Sequence, residues 1–112
     1  MVEYNKDLVV AKIKQCFPNE DQAKITAILD LYGRESYEPE RERVQIAILK
    51  LSKEDLSKLR ENVEVAKSDY RDVLAYAEYP EEMSKDIWKM GDKEMKGIRE
   101  KDRQQYLDWL NN

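Results

Sequence analysis

The chain has 112 residues, of which 41% are hydrophobic and 39% charged, and 20 basic against 24 acidic residues give a formal net charge of −4. That length and mix predict a single domain able to close a core without staples, and disfavour disorder along the whole chain and polyanion binding through a basic excess. Histidine is absent and Cys16 is the single cysteine, so there is no Ser-His or Cys-His dyad, no His-ligated zinc and no internal disulfide.

In chain order, the first predicted helix covers residues 5–16, with Asn5 as its cap and Leu8, Val9, Ala11, Ile13 and Cys16 on its apolar side. Pro18 stops it, because a residue before proline is pushed out of helical geometry. Asn19 with Gln22 has the spacing of a capping box and opens a second helix, lined by Ile25, Ile28, Leu29 and Tyr32 with Ala27 and Leu31 beside them. Gly33 is placed to end it. Residues 34–38 read as a loop, and Pro39 suits the first position of a third helix reaching Leu51. Val44, Ile46 and Ile48 alternate as in a strand, but Ala47, Leu49 and the charged run before them favour a helix buried on both sides.

Residues 52–78 carry the strongest periodicity. Leu56, Leu59, Val63, Ala66, Tyr70, Val73 and Ala77 recur at gaps of three and four, with Leu74 and Tyr76 widening the row. Ser52 with Asp55 is expected to cap this long helix, and Pro80 to end it near Glu78. A short amphipathic piece follows with Met83, Ile87, Trp88 and Met90, broken by Gly91 and Asp92. Residues 93–105 are dominated by charge, and the chain turns apolar again at Tyr106, Leu107, Trp109 and Leu110. The expected fold is therefore all-α, a compact single-domain bundle of about five to six helices around one long central helix, with residues 92–112 as a more loosely attached helical tail. No basic region followed by an apolar run opens the chain, and no stretch approaches the ~20 apolar residues of a membrane span, so a cytoplasmic protein is expected.

The strings Leu29-Asp30-Leu31-Tyr32-Gly33 and Asp69-Tyr70-Arg71-Asp72-Val73-Leu74-Ala75, with residues 38–51 and Glu78-Tyr79-Pro80, resemble a group of small bacterial helical proteins of unknown function. The resemblance spans less than half the chain. It implies a small, helical, bacterial protein and assigns no activity.

Three clusters hold the candidate chemistry. Asp69 and Asp72 are three apart, so on a helix two carboxylates would share a face and a divalent ion; the plainer reading is a solvated edge paired with Arg71. Arg34, Arg41 and Arg43 with Tyr37 offer guanidinium forks and a ring to an anion or a protein partner, although Glu35, Glu38, Glu40 and Glu42 are interleaved to neutralise them. Tyr76, Tyr79, Trp88, Tyr106 and Trp109 suit a core edge or an interface, and Tyr106, Trp109 and Leu110 would cover a second subunit if the tail docks outward. Cys16 reads as a buried apolar thiol. No cofactor is expected. The leading reading is a non-enzymatic protein acting through protein contact, a homodimer included, across Arg34, Tyr37, Arg41, Arg43, Tyr106, Trp109 and Leu110. The alternatives are a regulator touching nucleic acid through the arginine loop, which the acidic balance disfavours, and a carboxylate-dependent metal enzyme.

Overall fold

The structure, a computed structural model, describes residues 3–85 and 89–112. Among them are six helices and no strand: α1 (Lys6–Cys16), α2 (Gln22–Leu29), α3 (Arg41–Ser52), α4 (Leu56–Glu78), α5 (Pro80–Ser84) and α6 (Asp92–Leu110). The expected positions Ile87 and Trp88 lie outside the described residues. α3 packs along α4 as the main pair; α1 lies on α3, α2 on α4 and α1, and α5 and α6 on each other and on α4.

The side chain of the residue just before the helix caps the start of three helices, in part at residues other than those expected. Asn5 accepts from the Leu8 amide, as its position predicts. Asp21, not Asn19, caps α2 by accepting from the Ala23 amide at 3.0 Å. Asp55 alone caps α4, accepting from Ser57 at 2.8 Å and Lys58 at 3.2 Å, because Ser52 is already the last residue of α3 and its hydroxyl donates back to the Ile48 carbonyl. Pro39 likewise falls short of α3, which starts two residues later behind a left-handed Glu40 (φ 52°). A proline spacing that permits a helix start does not require one; the cap geometry decides.

α4 is the longest helix and keeps one side in solvent, whereas α3 is covered all round. Residues Val44, Gln45, Ile46, Ala47, Ile48 and Leu49 are consecutive and buried. Full enclosure explains the strand-like alternation, since a helix with neighbours on every side has no polar face to reveal its period. Gln45 is the polar exception, and its amide donates to the Leu29 and Tyr32 carbonyls and to Asp30, tying the end of α2 to α3. At that end Gly33 has φ 99°, and a Cβ there would lie 2.5 Å from Cγ of Arg41. Glycine therefore meets both a backbone and a packing need at this turn.

The heptad of residues 52–78 correctly marks the buried side of α4: Leu59, Val63 and Ala66, then Val73 and Ala77, enter the core, with Leu74 beside them. Tyr76 does not widen this core row but stands in solvent. The backbone is also interrupted. Asp69 is extended (φ −155°, ψ 100°) and splits α4 into two helical runs. Its carboxylate accepts from the Arg71 amide at 3.1 Å, so Asp69 acts as a cap for the second run. Side-chain periodicity reports which face is buried and survives a one-residue break that keeps the face in register.

The tail docks through the C-terminal half of α6. Tyr106 and Leu110 join the core, and Trp109 stacks on Tyr106 with ring centroids 5.7 Å apart. The buried Lys12 ammonium donates to the Trp109 carbonyl and lies 4.6 Å from the Trp109 ring centroid. Lys50 donates to the Ala77 carbonyl and to Gln105, at 2.7 and 2.8 Å. Both ammoniums thus sit at helix C-termini, where carbonyls face them. Burial, the larger influence on each, holds both lysine pKa values below the ordinary range. Asp102, also buried, accepts from the Glu81 and Glu82 amides at 3.0 Å each and so caps α5. The Tyr106 hydroxyl, by contrast, is buried and meets no protein partner among the described residues. Tyr106→Phe is accordingly expected to keep the ring packing and to raise stability by about 1 kcal/mol, since an unsatisfied buried hydroxyl is removed. Paired urea melts of the two proteins check this; a loss of stability would mean that the hydroxyl is satisfied in solution.

Candidate functional site

The break at Asp69 and the loop before α3 face each other and form one groove. It is lined by Tyr32, Tyr37, Glu38, residues 66–70 and Arg71. The loop is fastened from within by Glu38. That side chain is almost fully enclosed and accepts from the Gly33 and Glu35 amides at 3.1 Å each, and from Lys67 at 2.8 Å. Lys67 also donates to the Leu31 carbonyl, fixing the loop to α4. Burial pushes the Glu38 carboxyl up, but the Lys67 bond and the two amides outweigh it and leave its pKa below the ordinary range. Tyr32 closes the groove floor, donating to the Pro39 carbonyl at 2.8 Å; burial, with Glu38 adding to it, raises its phenol to about 12.

On this fixed loop Tyr37 stands 75% exposed, the most exposed large hydrophobic side chain among the described residues. Across the groove Arg71 grips Asp69 with two contacts, 3.0 and 3.2 Å. This is the solvated ion pair of the plainer reading. Asp69 is not helical, so the shared helical face proposed for Asp69 and Asp72 does not form. No group of three or more acidic or cysteine side chains is placed to hold a metal ion among the described residues.

The arginines divide. Arg43 forks onto Glu78 at 2.8 and 2.7 Å and also reaches Glu40 at 3.1 Å, joining the start of α3 to the end of α4. Arg41 pairs with Asp30 at 2.9 Å. Arg34 is exposed and donates through Nε to the Asp30 carbonyl. The neutralising partners are thus chiefly Asp30 and Glu78, brought by the fold, with only Glu40 from the interleaved run; Glu38 serves Lys67 instead. Tyr106 and Leu110 face the core of their own chain and Trp109 is half-buried. Of the seven surface residues expected, only Arg34 and Tyr37 remain on an open surface without a carboxylate partner. Lys67 and Glu38 complete the site, and the sequence hid them because they lie 29 residues apart and meet only in the fold. Cys16 is half-buried and burial raises its thiol pKa, with Lys12 opposing; a raised pKa makes a poor nucleophile.

No helix among the described residues is long and apolar enough to cross a membrane. No protein-family model matches the chain, and no curated protein or solved structure matches it.

Proposed function

We propose that this is a non-enzymatic cytoplasmic protein that works by contact with another protein, and that the groove between Tyr37 and the break in α4 is the contact site. The observation that carries the reading is the presentation of Tyr37. An aromatic ring held in water on a loop fixed by a buried carboxylate is ordered before any partner arrives, which lowers the entropic cost of binding. Tyrosine and arginine are also the residue types that dominate binding energy at protein interfaces, and Arg71 lines the same groove as the ring. The arginine pairing with Asp30, Glu40 and Glu78 leaves little unneutralised positive charge for a phosphate backbone.

Affinity capture of the tagged protein from its native lysate, with and without nuclease, tests this reading. A nuclease-resistant protein partner whose recovery falls about tenfold or more with Tyr37→Ala, equivalent to about 1.4 kcal/mol, is the expected result. Capture that vanishes with nuclease would assign the site to nucleic acid. A partner retained in full by the variant, or recovery of the bait alone, would overturn the proposal.

A further inference from the structure

Only residues 53–55 separate α3 from α4. The two residues that turn the chain, Lys53 (φ 48°) and Glu54 (φ 65°), are both left-handed. Neither is the glycine or asparagine that this region favours, and each side chain crowds its own backbone there. In a helix, by contrast, lysine and glutamate are among the better formers. The turn is closed by the Asp55 amide, which donates to the Ser52 carbonyl at 2.9 Å, and by the Asp55 carboxylate, which caps α4. Lys53, Glu54 and Asp55 are all exposed, so straightening the turn costs none of their own burial. Continued as helix, residues 41–68 would form one rod about 42 Å long.

The turn divides the fold into two halves that hold each other. Gln45 ties α2 to α3 within the first half. Between the halves run the bonds of Glu38 with Lys67, Arg43 with Glu78, Lys50 with Gln105, and Lys12 with the Trp109 carbonyl. α3 packing along α4 is the main contact of the fold. A chain whose turn has straightened loses all of these, and with them the cover over Val44, Ile46, Ile48 and Leu49. The surface that fits the uncovered half is the matching half of a second copy, because every contact is then made again between chains. Closed and exchanged forms share one interface, so their balance rests on the strain of the turn and on protein concentration.

We infer that this chain forms a domain-swapped dimer, exchanging the segment that ends at Ser52 between two copies as residues 53–55 become helical. Each of its two Tyr37 grooves then takes Tyr37 and Glu38 from one chain and Lys67 and Arg71 from the other; the dimer itself does not depend on the function proposed for that groove. The test refolds the protein from denaturant at high and at low concentration and reads its mass by light scattering. High concentration is expected to yield a dimer that persists on dilution, because reversal requires α3 to leave α4. Lys53→Gly with Glu54→Gly relaxes the closed turn and weakens the continuous helix, and should lower the dimer fraction about tenfold. Asp55→Ala removes the cap of the closed form and should raise that fraction severalfold. A pair of charge reversals identifies the exchange. Arg43→Glu and Glu78→Arg each set like charges together in a monomer or a homodimer. Refolded together, they make an exchanged heterodimer with one native and one reversed ion pair, which should exceed either homodimer by about tenfold or more. The inference is overturned if neither the native chain nor Asp55→Ala dimerises, if the glycine pair leaves the dimer fraction unmoved, or if the two reversal variants give no excess of heterodimer.

Discussion

Arg43→Ala is expected to lower unfolding stability by about 3 kcal/mol, a large share of the 5–15 kcal/mol typical of a small domain. Glu78 is buried, and among the described residues Arg43 is the sole hydrogen-bond and ion-pair partner of its carboxylate, through contacts of 2.8 and 2.7 Å. Truncation leaves that carboxylate enclosed and uncompensated while also deleting the clamp between the start of α3 and the end of α4. The exposed pair of Arg43 with Glu40 adds little by itself, being a surface contact. A further measurement separates this cause from simple loss of packing. Replacing both partners, as Arg43→Met with Glu78→Leu, should recover most of the loss. A deficit unrepaired by the double change would place the cost in the lost side-chain volume of Arg43 instead.

Glu38→Ala is expected to cost about 2–3 kcal/mol and to loosen residues 33–40, since the Gly33 and Glu35 amides would lose their acceptor and Lys67 its carboxylate. Glu38→Gln should cost less, about 1 kcal/mol, because one amide oxygen can still accept from both backbone donors while the bond from Lys67 is lost. Amide hydrogen exchange in the loop and denaturant melts distinguish the two variants. The pH dependence has a definite sign. The folded-state pKa of Glu38 lies below its unfolded value of 4.5, so its contribution is complete above pH 4.5 and fades as the pH falls through the lower folded value. The acid limb of the stability profile should therefore be shallower in Glu38→Gln than in the native chain. Equal acid limbs would mean that the carboxylate is not preferentially ionised in the fold. Because Glu38 holds the loop that presents Tyr37, Glu38→Ala should also weaken whatever binds Tyr37, through disorder rather than a lost contact.

The two substitutions show where reading from sequence stops. Arg43 and Glu38 both stand in the alternating run of residues 38–43, and local spacing suggests that they neutralise neighbours. Arg43 does reach Glu40, but the main partner of each lies 29 or 35 positions away, Lys67 for Glu38 and Glu78 for Arg43. An ion pair between elements depends on which helix faces lie together, and periodicity names faces without naming their neighbours. The aromatic tail shows the same limit: Tyr106 and Leu110 carry an apolar signature that serves a core or an interface, and docking of α6 beside Lys12 and Lys50 places them in the core.

What the sequence by itself determined is the helical class, the extents of most helices to within a few residues, and the buried side of α4. Those follow from short-range rules: side-chain spacing at 3.6 residues per turn, capping by Asn5, and termination at Pro18 and Pro80, whereas α2 ends at Leu29, four residues before the expected stop at Gly33. The break at Asp69 and the pairings of Glu38 and Arg43 were decided only in the tertiary structure. Each depends on desolvation and on acceptors supplied by distant segments, and neither quantity exists until the helices have packed.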